Sequence, residues 1–182
     1  MSLTVSEVTQ QRRAVIQERH PSAELLSAKT SWLSLEVAGQ SYGLPIQNIV
    51  QIIEMVAISP LPAAPRIVVG VIDFRGQVIP LVDMRRRLHL AHRPYDLRTP
   101  IVVCRLNGCR TGLIVDSVSG VIELGLEQVD APTQIMTAEM ALRTHHLAGV
   151  ARLETGLLLL LDPDTFLFET EEELLGQALP SR

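Results

Sequence analysis

The sequence predicts a mainly β fold, closed on itself or sandwiched, and three observations predict it. Strand-like apolar runs recur at short intervals, tight turn signals punctuate them, and the core has to be aliphatic. Of 182 residues, 47% are hydrophobic but only 3% are aromatic. Val, Ile and Leu at that density suit pleated, half-buried strands. Many short strands joined by tight turns leave exposed edges, which closure removes. The length fits one ordinary domain or two small fused ones.

Residues 1–28 carry few large apolar side chains. They read either as a short helix with a thin apolar stripe (Val8, Val15) stopped before Pro21, or as a loosely ordered tail. From Ser31 the period becomes two: Trp32, Ser34 and Glu36 alternate with Leu33, Leu35 and Val37, and a turn signal follows at Gly39-Gln40. Further strands are predicted at 67–74, 77–82, 100–106, 110–115, 120–124, 146–153 and 157–161, with turns at Arg75-Gly76, Asn107-Gly108 and Glu154-Thr155-Gly156. A short helix at 83–90 opens with Asp83 as N-cap and runs through Arg85, Arg86 and Arg87. Residues 94–100 read as the seam between two β halves of about five strands each. Near the C-terminus Asp162 caps a turn with Pro163 at the first helical position, and Thr170 with Glu173 forms a capping box.

A net charge of −4 argues against a general nucleic-acid binder, and so few aromatic residues leave few platforms for stacking bases. The sequence has no Gly-rich phosphate loop, no G-x-S-x-G elbow and no H-E-x-x-H, and it calls for no cofactor. Cys104 and Cys109 lack a second metal-binding pair. They flank Asn107-Gly108, so a cross-strand disulfide is open, but small buried side chains are the preferred reading. His145 and His146 are adjacent on a predicted strand and point to opposite faces, so they cannot chelate one ion together. His89 and His92 lack a third ligand, and capping accounts for Asp162 and Asp164. Asp116 is expected to order a turn through backbone N–H groups. With no apolar leader segment and no run long enough to span a bilayer, a soluble cytoplasmic protein is expected, without direct membrane insertion.

The stretch "GVIDFRGQVIPLVDMRRRL", residues 70–88, places an arginine at the tip of a buried-looking hairpin. Arg75 reads either as a solvated turn residue paired with Asp73, or as a guanidinium held out on a rigid platform for a partner.

Four blocks carry a resemblance: "YGLPIQNIVQII", "PLPAAPRIVVGVIDFRGQVIPLVDMRRRL", "TPIVVCRLNGCRTGLIVDSVSGVIEL" and "HHLAGVARLETGLLLLLDPDTFL". In order and spacing they resemble the CheW-like domain of bacterial chemotaxis coupling proteins, over residues 31–168 of the sequence. Residues 70–85 are the most specific part, similar to the family's G-V-I-N-L-R-G-x-I-V-P-I-V-D-L-R. The resemblance implies two small five-stranded SH3-like β barrels packed together over 29–170, with their seam near 83–100 and a C-terminal helix or tail at 171–182. It implies a non-catalytic adaptor that joins the cytoplasmic tips of chemoreceptors to the regulatory domain of a histidine kinase. Arg75 matches the motif arginine assigned to receptor contact, with Asp73, Phe74 and Gly76 around it. Leu33, Ile46 and Ile49 match apolar positions assigned to the kinase contact, and core packing is the alternative for one or two of them. Asp73 and Phe74 depart from the family's Asn and Leu. A carboxylate at Asp73 would weaken attraction to an acidic receptor tip or retune it. A dedicated array serving twitching, biofilm or another output is therefore an alternative. A further one is a small-ligand or enzymatic domain using Arg75 with Asp73, His145 or Asp116.

Overall fold

The structure, a computed structural model describing residues 29–132 and 146–167, arranges eleven strands among the described residues into two sheets. The larger contains β1 (Thr30–Val37), β2 (Gln40–Pro45), β8 (Ser117–Leu124), β9 (Val129–Asp130), β10 (Leu147–Leu153) and β11 (Gly156–Leu161), ordered β8-β1-β2-β11-β10-β9. The smaller contains β3 (Ile49–Glu54), β4 (Val68–Phe74), β5 (Gln77–Asp83), β6 (Pro100–Leu106) and β7 (Cys109–Ile114), ordered β3-β6-β7-β5-β4. Both follow one plan. Two antiparallel hairpins meet along a central parallel pair, β2 with β11 in one sheet and β5 with β7 in the other.

Three cores explain the hydrophobic pattern. Ile72, Phe74, Ile79, Leu81, Ile101, Val103 and Ile114 fill the inner face of the smaller sheet. Trp32, Leu124, Ala148, Ala151, Leu158 and Leu160 fill that of the larger. The largest core lies between the sheets and takes Leu33, Leu35, Val37, Leu44, Val82, Val102, Cys104, Leu106 and Leu113 from both. Strands such as β6 are therefore buried on both faces, which is why they read as continuous apolar runs rather than alternating ones.

Three hairpins turn on two residues with positive φ: Ala38-Gly39 (53° and 79°), Arg75-Gly76 (54° and 76°) and Asn107-Gly108 (48° and 72°). That is the mirror-image turn whose twist matches flanking strands. The first falls one residue before the expected Gly39-Gln40. At Gly70 a Cβ would stand 2.5 Å from the Ser59 carbonyl oxygen. Only glycine lets residues 58–59 close on β4, where Ser59 and Val71 exchange two backbone hydrogen bonds of 2.9 Å.

Asp83 caps a one-turn helix, α1 (Met84–Arg87), by accepting from the Arg85 and Arg86 N–H groups at 2.8 and 3.4 Å. The sheets do not divide at 83–100. That segment joins β5 to β6 within the smaller sheet, and the chain changes sheet at 46–48 and again at 115–116. The reason is the parallel pairing, which takes β1 and β2 away from the strands that follow them. β3 and β9 were not expected from the pattern. Cys104 pairs with Thr111 in register and Cys109 with Leu106, so the two cysteines do not face each other; both are free, Cys104 buried and Cys109 exposed. The expected helices in 1–28 and around Thr170, the tail at 171–182 and His145 lie outside the described residues.

Candidate functional site

The β4–β5 hairpin carries the motif. Ile72 and Phe74 point into the smaller core while Asp73 and Val78, opposite each other, point out. The Asp73 carboxylate accepts from the Gly76 N–H at 2.7 Å, so it closes the turn rather than pairing with Arg75. Arg75 holds φ at 54°, a region that costs a side-chain-bearing residue about 1 kcal/mol. Its guanidinium donates to Gln51 Oε1 on β3 at 2.5 Å and lies 5.3 Å from the Phe74 ring centroid. β3 and β4 are opposite edges of the smaller sheet, so this bond ties the rolled sheet together at its end. Phe74 is 5% exposed and underlies the tip; Asp73, Arg75 and Gly76 are exposed.

The second group is split. Leu33 is buried, 3% exposed, in the core between the sheets and offers no surface to a partner. It sits on the inward set of the β1 alternation, which packs against the other sheet. Ile49 is half-buried and packs against the same core. Ile46 is exposed, beside a cleft of about 190 Å³ lined by Lys29, Thr30, Ser31, Trp32, Pro45 and Gln47. The outward face of β3 continues from it through Val50 and Ile52, and Val56 follows. Sequence reasoning missed these three because apolar residues occupy both faces of β3, which hides the period of two.

The arginines of α1 are used differently. Arg85 forms a two-pronged bond to Asp116, Nε to Oδ1 at 2.8 Å and Nη2 to Oδ2 at 2.6 Å. Asp116 also accepts from the Ala38 N–H at 2.7 Å. The link therefore joins α1 to the β7–β8 crossover and to the first hairpin. The Arg85 guanidinium beside Asp116, helped by the Ala38 N–H, holds that carboxyl below the usual range. Arg87 is buried; its Nε donates to the Phe166 carbonyl at 2.5 Å and its guanidinium stands 5.4 Å from the Phe166 ring centroid. Tyr95 donates to Asp83 at 2.5 Å, and burial with that bond pushes its phenol up. The cavity among Asp83, Arg85, Tyr95 and Asp116 is about 10 Å³, room for about one water. Among the described residues no cluster has the ligands for a metal ion.

The arrangement presents surface features, a braced arginine on a hairpin tip and an exposed aliphatic strand face. It defines a class, a small two-sheet β module. The family model for the CheW-like domain matches residues 31–171, and the chain belongs to that family. Over 151 residues it is 27% identical to the chemotaxis protein CheW of Klebsiella aerogenes, covering 82% of this chain and 89% of that one. Over 134 residues it is 25% identical to that of Treponema pallidum, covering 71% and 77%. Protein FrzA of Myxococcus xanthus is 25% identical over 140 residues, covering 77% and 81%. The solved scaffolding protein TtCheW of Thermoanaerobacter tengcongensis shares the fold with a TM-score of 0.66 at 24% identity, covering 75% of this chain and 91% of that one. By its family and relatives the chain is a chemotaxis-type signalling adaptor.

Proposed function

We propose that the chain couples the cytoplasmic tips of chemoreceptors to the regulatory domain of a chemotaxis-type histidine kinase, through two separate surfaces and without catalysis. The observation that carries this is Arg75: an exposed guanidinium kept at positive φ and braced by Gln51, in a position where Asn or Gly would be less strained. A cation presented this way makes charge-assisted bonds to a receptor glutamate. Ile46 and the outward side of β3 are the surface for the kinase, since exposed aliphatic residues on a rigid strand bury well against a sister domain. The adaptor works in the bacterial cytoplasm at membrane-associated receptor arrays. No helix among the described residues is long and apolar enough to cross a membrane.

The test is capture of a receptor cytoplasmic fragment by Arg75→Glu at unchanged thermal stability; undiminished capture removes the receptor role. Ile46→Asp should weaken titration of the kinase regulatory domain by about tenfold. A dedicated array with a non-flagellar output stays the second reading, because FrzA and the chemotaxis proteins are similar to this chain to the same degree. Affinity capture from the native cell, with the partners identified by mass spectrometry, separates the two.

A further inference from the structure

Each strand of the smaller sheet, or the turn that follows it, places one polar residue at the end around Phe74. β3 supplies Gln51, the turn after β4 supplies Arg75, β5 supplies Gln77, β6 supplies Arg105 and β7 supplies Arg110. By alternation the four strand residues share the inner face with Ile53, Ile79, Val103 and Ile114, so they ring the open end of the smaller core. The Arg110 guanidinium stands 6.0 Å from the Phe74 ring centroid, facing the same ring as Arg75.

The ring has donors to spare, and its two side-chain acceptors, Gln51 Oε1 and Gln77 Oε1, are already engaged within it. Gln51 Oε1 accepts from Arg75 and Gln77 Oε1 accepts from Arg110, both at 2.5 Å, so each amide oxygen is committed to an arginine of the ring. Arg105 and Arg110 are direct cross-strand partners, and like charges so placed repel. Among the described residues the ion pairs engage Arg85, Arg86, His92 and Arg152, and none engages Arg75, Arg105 or Arg110. Arg110 Nε is buried without a hydrogen-bond partner. The nearest carboxylate in sequence, Asp73, is spent on the Gly76 N–H.

We propose that this rim is an acid-reading surface in which Arg105 and Arg110 join Arg75 to select a partner protein segment carrying at least two carboxylates. It rests on the reading of Arg75 as the receptor post and narrows it: the occupant is a receptor hairpin tip with paired glutamates. Two guanidinium forks within about 6 Å of one phenyl ring suit two carboxylates on adjacent helix turns, one fork to each. Phosphate of a nucleic acid is the other anion of that reach, and a chain of net charge −4 repels it.

The test uses the full chain and a helical-hairpin peptide whose turn is flanked by four glutamates, beside the same peptide with four glutamines, titrated by calorimetry. The chain should prefer the glutamate hairpin by about tenfold or more, and added salt should erode the preference. Arg105→Gln and Arg110→Gln should each remove most of it at unchanged melting temperature, and Arg110→Lys should restore only part, since lysine keeps charge without the fork. No preference in the unaltered chain, full preference in the variants, or equal binding of a single-stranded oligonucleotide would overturn the proposal. Capture of the receptor fragment separates the two readings. If Arg75→Glu abolishes capture and the Arg105→Gln/Arg110→Gln double variant captures fully, the rim is wrong and the adaptor role stands. If the glutamate preference depends on the arginines but no receptor fragment is captured, the rim stands and the receptor role falls.

Discussion

Arg87 in α1 and Arg75 at the hairpin tip belong to one short stretch of sequence and serve opposite ends. Arg87 is buried, its Nε on the Phe166 carbonyl; Arg85 beside it is locked to Asp116. Those two side chains join the smaller sheet to elements of the larger. Arg75 is exposed, strained in φ and, among the described residues, hydrogen-bonded through its side chain to a neutral glutamine. Arg75 and Arg87 both donate to a neutral amide oxygen, so it is burial that makes Arg87 structural. Exposure with a neutral brace leaves the charge of Arg75 available. The same contrast separates the two faces of β3, where Ile49 and Ile53 pack inward and Val50 and Ile52 lie open.

Substitutions should sharpen this contrast in a definite order. Arg87→Ala should cost most, about 3 kcal/mol or more, because it strips a buried carbonyl of its cationic donor and empties space against Phe166. Denaturant unfolding measures it, and a cost near zero would put Arg87 in the same class as Arg75. Asp116→Asn should cost about 1–3 kcal/mol by weakening the two-pronged bond to Arg85. Because Asp116 titrates lower in the folded chain than in the unfolded one, its contribution is full above the unfolded value of about 4 and is lost as pH falls through the depressed folded value. The stability gap between parent and Asp116→Asn should therefore be widest near neutral pH and close in strong acid.

Arg75→Asn should leave stability within about 1 kcal/mol of the parent, since Asn tolerates positive φ and offsets the lost bond to Gln51. Its capture of a receptor fragment should fall all the same; a variant that loses stability and keeps capture would reverse the roles assigned here. Ile52→Ser should show the smallest effect on folding, within about 0.5 kcal/mol, while weakening titration of the kinase domain. Ile49→Ser should instead destabilise, because that side chain packs on the core between the sheets.

Most strands were legible because alternation and turn chemistry are local. Trp32 to Val37, the Asn107-Gly108 hairpin and the Arg75-Gly76 hairpin appear where the pattern puts them. β3 was not legible: "IVQIIE" is apolar on both faces, one facing the cores and one open, so no period of two appears. Leu33 was a kinase-contact candidate through the resemblance, with core packing its alternative, and only the second sheet packed on β1 decides for the core. Asp73 looked like a partner for Arg75, and only the turn geometry sends its carboxylate to the Gly76 N–H. Arg105 and Arg110 carry a signal visible in the sequence: they are equidistant from the two-residue turn between them, which makes them cross-strand partners.

The sequence by itself determined most of the strands, the hairpins and the family, since these depend on residues a few places apart and on motifs read in order. The tertiary structure decided which strands share a sheet, where the division between sheets falls, and which arginines are spent. Those outcomes depend on pairs such as Leu159 with Tyr42 and Arg87 with Phe166, remote in the chain and joined by burying three cores at once. No local pattern encodes such closure, because its free energy is gained only when both partners leave water together.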